Sequence, residues 1–416
     1  MAEPHGLTRR SLLRTGAAAG AGAALGAGVA SAARGSQDDG GAPGGDVIAF
    51  HGAHQAGIAT PAQDRLLFAT FDLLSDAADD LEALLRAWTR AAEALTTGRA
   101  VGTVGGNPYA PPADTGEAQG LRAARLTLTF GLGPGVFEQG GRDRLGLRSQ
   151  RPAHLAPIPA LPGDELEPER SGGDLCIQAC ADDPQVTFHA IRNLTRIARP
   201  YAQLRWTQVG FGRTARTSRT QATPRNLMGF KDGTANLVAE DRAAMDEHVW
   251  VGDDSWLRGG SYLVARRISM TIESWDRASL ADQEQTIGRE KVSGAPIGSA
   301  GEFDELDLSK KGSDGKLLVP ADSHVALAHP TRNGGIRILR RGYSFTDGLQ
   351  ADLGQLDAGL FFIAFMNSPE RFVTLQAQLG RKDALNEYIR HVGSAVFAVP
   401  PGVGSSRGFI GDGLFA

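Results

Sequence analysis

Arg65-Leu66-Leu67-Phe68-Ala69-Thr70-Phe71-Asp72-Leu73 is a nine-residue, mostly apolar run with the length and composition of one buried strand. The pattern downstream of this strand decides the fold class. Ser75 can cap a helix running through Asp80, Leu84, Trp88 and Ala92, with apolar residues at helical spacing. Arg125 to Leu132 reads as a second strand, ending in the turn around Gly131, Gly133 and Gly135. Asp174 to Ala181 is a third strand, Val186 to Ala198 a second helix and Gln203 to Phe211 a fourth strand. The order β-α-β-β-α-β is that of the ferredoxin-like unit.

The second half repeats the order. Gly260 to Ile272 reads as a long strand and Ser279 to Arg289 as a helix. His324 to Ala328 and Ile336 to Ser344 are strand-like pieces, and Gly359 to Asn367 is a strongly apolar strand. Pro369 to Leu379 and Ala384 to His391 read as helical, and Ser394 to Val399 closes the set. The expected fold is therefore α+β, with tandem duplicated ferredoxin-like units. Their expected bounds are residues 46–215 and 216–416. The repeat is architectural, with no convincing residue-level identity between the halves. Pro152 to Pro168 and Lys291 to Pro320 stand out as long insertions.

Composition sets the outer limits. The 416 residues suffice for one large domain or two ordinary ones, and 41% hydrophobic with 22% charged residues is usual for a globular protein. A net charge of -4 gives no electrostatic reason for nucleic-acid binding. At the N-terminus, Thr8-Arg9-Arg10-Ser11-Leu12-Leu13-Arg14 leads into a weakly hydrophobic Ala/Gly run that ends in Ala30-Ser31-Ala32, a small-residue cleavage signature. This resembles a twin-arginine (Tat) export signal over residues 1–33, followed by a disordered Gly/Asp/Pro-rich linker over 34–45. The run is too mild for a membrane anchor, so no stable membrane insertion is expected. A periplasmic, cell-envelope or extracellular location is the corresponding expectation. The only cysteines, Cys176 and Cys180, lie four residues apart on a strand, roughly 13 Å, whereas a disulfide needs Cα atoms within about 7 Å. They read as buried free thiols, and two cysteines alone cannot build a zinc or iron–sulfur site.

The chemistry-bearing stretch is Gly229-Phe230-Lys231-Asp232-Gly233-Thr234-Ala235-Asn236. Its glycines admit backbone conformations closed to other residues and let a ligand approach the main chain. Further along, His324 stands in Ser323-His324-Val325-Ala326-Leu327, and neutral imidazole is a good axial ligand for haem iron. Arg340 lies in Ile338-Leu339-Arg340-Arg341-Gly342-Tyr343, where a permanent guanidinium charge could polarise a bound peroxide. Consecutive arginines on a strand point to opposite faces, so at most one of Arg340 and Arg341 faces a pocket.

These pieces together resemble the dye-decolorising (DyP-type) haem peroxidase family. Gly229-Phe230-Lys231-Asp232-Gly233 fits its GxxDG signature, and His324 and the Ile-Leu-Arg-Arg-Gly-Tyr run come next in the family's order. Gly52-Ala53-His54-Gln55-Ala56-Gly57-Ile58 is similar to the family's N-terminal segment, and Gly252-Asp253-Asp254 with Gly259-Gly260-Ser261-Tyr262 to the link into its second half. The likeness covers about 46 to 416, and the leader and motif wording most resemble the exported, EfeB-type deferrochelatase/peroxidase branch. The resemblance implies a DyP-type, dimeric α+β barrel architecture and one haem b per chain. His324 would be the proximal ligand, and Asp232 and Arg340 the distal catalytic pair. Gly233, Thr234, Ala235, His329, Pro330 and Thr331 would line the haem, and Glu387 would hydrogen-bond the ligand imidazole. Leu360 and Phe362, with Met366, would wall the distal pocket. Gly342 departs from relatives that carry a distal asparagine there.

The implied activity is hydrogen-peroxide-dependent oxidation of dyes, phenols or other bulky one-electron donors through a ferryl intermediate. Asp232 would carry the proton and Arg340 would stabilise the separating charge. Electrons could enter through surface aromatics, the candidates being Tyr343, Tyr388, Trp250, Trp256 and Trp275, with His391 as a relay. The alternative is a deferrochelatase that releases iron from haem and leaves the porphyrin intact, working with components of an iron-uptake system. Either role leaves a homo-oligomer open.

Overall fold

The computed structural model describes residues 46–350, 354–404 and 408–416; the leader and linker expected over 1–45 lie outside the described residues. The first half contains β1 (Arg65–Leu73), α1 (Ala78–Leu95), β2 (Thr127–Leu132), β3 (Leu175–Ala181), α2 (Pro184–Ala198) and β4 (Ala202–Arg213). After α3 (Arg242–His248) come β5 (Ser261–Met270), α4 (Ile272–Trp275), α5 (Leu280–Ile287) and α6 (His324–Ala328). β6 (Leu339–Arg340), β7 (Tyr343–Gln350), β8 (Gln355–Met366), α7 (Glu370–Lys382) and β9 (Ile389–Val399) complete the chain of elements.

The first-half strands lie in the order β2-β3-β1-β4, and the second-half strands β9-β5-β8-β7 repeat that arrangement. All these pairings are antiparallel. Two narrow seams join the halves: Leu132 of β2 faces Ala398 of β9, and Phe211 of β4 faces Ser344 of β7. The sheet therefore closes on itself, with β6 added beside β8. Gln55 braces the first seam, donating to Phe130 O at 3.1 Å and Pro400 O at 3.0 Å while accepting from Phe130 N at 2.8 Å.

Both faces of β1 are covered, which is why it reads as a continuous apolar run instead of an alternation. Leu66 and Phe68 point into the ring and meet Leu263, Phe361, Ile363 and Phe397 from the other half. Leu67, Ala69 and Phe71 point outward, where Leu84, Trp88 and Ala190 of α1 and α2 cover them. Asp183 caps α2 by accepting from Gln185 N and Val186 N, and Pro184 opens its first turn. Ser75 does not cap α1 directly. Ala77 holds that position, and the Ser75 hydroxyl accepts from Ala77 N and reaches Asp80. Cys176 and Cys180 are buried free thiols, as expected, and burial pushes both pKa values up.

Three second-half expectations need correction. His324 to Ala328 is a five-residue helix, not a strand: Ser323 is anchored by its hydroxyl to Pro320 O at 2.7 Å, and the alanines favour a helical turn that Pro330 prevents from continuing. Ile336 to Ser344 is broken into β6 and β7, because Arg341 N binds Ile363 O at 2.7 Å while Gly342 crosses directly over β8. Ala384 to His391 is helical only over its first half, a 3-10 turn. A short turn over Ala384–Glu387 leads straight into β9, which carries His391 as a buried strand residue. Among the described residues, no helix is long and apolar enough to cross a membrane.

Candidate functional site

The turn bearing Asp232 is built by its neighbours. Asp232 N donates to Pro224 O at 2.9 Å, and Arg225 and Lys231 form an isolated antiparallel bridge. Gly233 has a φ of +86°, and a Cβ there would sit 2.7 Å from the Ala215 Cα, so the residue must be glycine on both counts. The Asp232 carboxylate accepts from Arg340 Nη1 at 2.7 Å and from Asn226 Nδ2 at 3.3 Å. Its side chain is 16% exposed and that of Arg340 29%, so the ion pair sits in a recess.

Arg340 is located by a residue to which sequence reasoning assigned no role. Asn236 clamps its main chain: Oδ1 accepts from Arg340 N at 2.8 Å and Nδ2 donates to Arg340 O at 2.9 Å. The same Nδ2 donates to Arg216 O at 2.8 Å. Arg341 points the other way into the core, fully buried, where Thr60 O and the Gln63 side chain accept from it. Gly342 has no space for a side chain, since a Cβ would lie 2.7 Å from Thr214 Oγ1 and 3.2 Å from Phe361 O. The distal asparagine of some relatives thus has no room at Gly342.

His324 opens α6. Its Nδ1 donates to Asp383 Oδ2 at 2.6 Å, which fixes the tautomer and leaves Nε2 with a free lone pair. The carboxylate partner is therefore Asp383, not Glu387. Asp383 is buried at the C-terminal end of α7 and also caps the next turn through Leu385 N at 2.9 Å, whereas Glu387 falls on the exposed side of that turn. A helix-ending aspartate ahead of Ala-Leu was the available signal, a capping residue. Burial works against a charged His324, but the Asp383 carboxylate, by charge and hydrogen bond, and the Asp232 charge outweigh it and raise the pKa; Arg340 opposes them. The imidazole thus feels both members of the Asp232–Arg340 pair. A third of its side chain remains accessible.

The other expected lining residues are placed unevenly. Gly233 is buried, Thr234 half-buried and Ala235 exposed. His329 and Pro330 are half-buried and Thr331 exposed, with the Thr331 hydroxyl 2.8 Å from His329 Nδ1. Leu360 packs with Met228, Phe230 and Trp275 beneath the site, while Phe362 turns toward Phe372 of α7 at 5.9 Å between ring centroids, and Met366 joins that same core. Among the proposed electron-entry aromatics, Trp275 and Tyr343 are fully buried and are not surface residues; Trp250, Trp256 and Tyr388 are partly exposed.

The donor set fits a haem. One imidazole is held by a buried carboxylate through Nδ1, which leaves its other nitrogen free, and a guanidinium–carboxylate pair lies near enough for both of its charges to act on that imidazole. Among the described residues no group of three or more His, Cys, Asp and Glu side chains converges on a metal ion, so the arrangement suits an iron that brings its other nitrogens with it.

Comparison with known proteins bears on the same reading. The family model described as Dyp-type peroxidase, N-terminal, matches residues 55–212, and Dyp-type peroxidase, C-terminal, matches 223–404. A protein named Deferrochelatase from Escherichia coli (strain K12) is 37% identical over 374 residues, 88% of this chain and 86% of the relative. One of the same name from Yersinia pseudotuberculosis is 36% identical over 88% of this chain and 84% of the relative. The oxyferrous complex of DtpA from Streptomyces lividans is similar with a TM-score of 0.81 and 39% identity, covering 89% of this chain and 97% of that one. The DyP-type peroxidase from Cellulomonas bogoriensis gives 0.79 and 37%, covering 90% and 99%.

Proposed function

We propose, from the premise that this chain belongs to the Dyp-type peroxidase family, a haem peroxidase in which Asp232 and Arg340 handle hydrogen peroxide and His324 holds the iron. The observation that carries the role assignment is the Asp232–Arg340 pair, joined at 2.7 Å and electrostatically coupled to an imidazole whose other nitrogen is anchored on Asp383. Haem, when bound, supplies an iron that binds peroxide and the electrons that reduce its O–O bond. The chain's own residues do the rest. Asp232 takes a proton from the inner peroxide oxygen and returns it to the outer one. Arg340 stabilises the negative charge that develops as the oxygens separate. Asn226 and Asn236 keep the two groups at their mutual distance, and Asp383 keeps the imidazole basic and correctly turned.

The preferred donors are bulky one-electron reductants such as dyes and phenols, which cannot enter the recess and are oxidised from outside it, through partly exposed Trp250, Trp256 or Tyr388. A second reading is supported by the curated relatives named Deferrochelatase: removal of iron from haem with the porphyrin left intact. One experiment separates them. The haem-loaded protein is given peroxide and a phenolic donor, or haem alone, and products are resolved by chromatography. Oxidised donor with intact haem supports the peroxidase; free protoporphyrin supports iron release. A purified chain that shows no Soret band after haem addition overturns both.

The same proposal includes export by the Tat pathway, directed by Arg9 and Arg10 with removal of residues 1–33, and delivery outside the cytoplasm. Replacing both arginines with lysine should retain the precursor in the cytoplasm; undiminished export would overturn this part.

A further inference from the structure

The insertion after α5 does not hang free. Residues 289 to 304 fold over the outer side of the turn that carries Asp232. Arg225 donates to Gly229 O at 2.7 Å in the turn and to Lys291 O at 2.6 Å and Val292 O at 2.8 Å in the insertion. Buried Arg289 donates to Gly294 O at 2.6 Å and Glu302 O at 2.9 Å, which fixes the loop's own shape. Lys231 lies so close over Gly294 that a Cβ there would be 2.6 Å from the lysine Cδ.

The Glu302 carboxylate completes the arrangement. One oxygen receives the Lys231 ammonium and the other accepts from Thr234 Oγ1 at 3.1 Å. The Glu302 side chain is 10% exposed and that of Lys231 25%, so both contacts are largely sheltered from water. Lys231 and Thr234 flank Asp232, one residue before it and two after. Their side chains are gripped from outside while the Asp232 carboxylate faces inward to Arg340. A carboxylate suits this point because it can accept from an ammonium and a hydroxyl at once.

We propose that Glu302 is a positioning residue for Asp232: by holding Lys231 and Thr234 together, it sets the direction of the carboxylate between them. The proposal rests on the reading of Asp232 as proton carrier. Both Glu302 oxygens are engaged by residues of the turn, so it acts through the turn. A displacement of a fraction of an ångström in a proton-transferring group lowers the rate well before it unfolds anything.

The test is a double-mutant cycle on the haem-loaded protein, reading the second-order rate with hydrogen peroxide by stopped flow. Glu302→Ala should slow that rate about tenfold with unchanged haem content. Glu302→Gln, which can still accept from Lys231 and bond Thr234, should stay within about threefold of wild type. In an Asp232→Ala background, Glu302→Ala should change the rate by less than about twofold, because the group it positions is gone. A second readout needs no haem: in the haem-free protein, amide exchange across 229–236 should quicken about tenfold in Glu302→Ala while β1 exchanges as before. Wild-type speed in Glu302→Ala, equal slowing with and without Asp232, or faster exchange that extends to β1 overturns the proposal. If Asp232→Ala alone reacts as fast as wild type, the reading of Asp232 falls and the positioning role falls with it.

Discussion

Asp232 and Arg340 satisfy each other, and removing either leaves the other's charge in a recess without its main partner. Asp232→Ala takes away the proposed proton carrier, and Arg340→Leu takes away the fixed positive charge. Each should keep the haem and slow the reaction with peroxide by about 100-fold, in the range usual for a lost acid–base group or a lost charge stabiliser. Stopped-flow absorbance checks this, and wild-type rates in both variants would refute the assignment of the pair. Asp383→Asn should loosen haem roughly 10- to 100-fold, because the imidazole proposed as its ligand loses its anionic partner. Glu387→Gln, on the exposed side of its turn, should leave haem retention unchanged. Haem transfer to an excess of a scavenging apoprotein measures both. Asp232, His324 and Arg340 stood out as candidates in the sequence because their residue types stand inside recognisable strings. Asp383 did not, because it stands only four positions before Glu387, with three residues of turn between them, and only the capping geometry decides which carboxylate turns inward.

At the level of elements, Asn236 ties the Asp232 turn to β6. Its amide satisfies both main-chain groups of Arg340, which no strand neighbour on that side supplies. Asn236→Ala leaves a buried N–H and C=O unpaired, and should destabilise the protein by about 2–4 kcal/mol while also releasing Arg340. Thermal unfolding and the peroxide rate should fall together; an unchanged rate would show that β6 holds Arg340 without help. The regular elements of the first half were legible almost to the residue, since β1 matches its expected span and the helices carry clear periodicity. The second half was harder to read around the site. A five-residue helix starting at His324 is too short to show a period, and the break between β6 and β7 depends on Gly342 lying against Thr214 and Phe361, partners distant in sequence.

Across the whole molecule, the duplicated β-α-β-β-α-β order was visible in the chain, but the closure into one ring was not readable from the pattern alone. The seams consist of very few paired residues, Leu132 with Ala398 and Phe211 and Arg213 with β7, and neither leaves a local signature. Closure also encloses charge. His391 on β9 lies beside the buried Arg266–Asp164 pair; its Nε2 accepts from Gln376 Nε2 at 3.0 Å, and its buried Nδ1 has no partner among the described residues. Burial, then the Arg266 charge, lowers its pKa from the ordinary 6.5 to about 4, with Asp164 and Asp383 opposing. The folded protein therefore keeps His391 neutral over a range in which the unfolded chain is protonated. Between pH 6.5 and 4 the unfolded state binds the extra proton, so stability rises with pH across that window and is lost as pH falls through it. The full loss is about 3 kcal/mol, complete near pH 4 and absent above pH 7. His391→Gln, which keeps a polar side chain next to Gln376 but cannot titrate, should flatten this part of the profile. Urea unfolding of wild type and variant at pH 7 and pH 4.5 measures it: the wild type should lose about 2–3 kcal/mol more than the variant between the two conditions. Equal losses in both proteins would mean that the acid sensitivity of the fold resides in other groups.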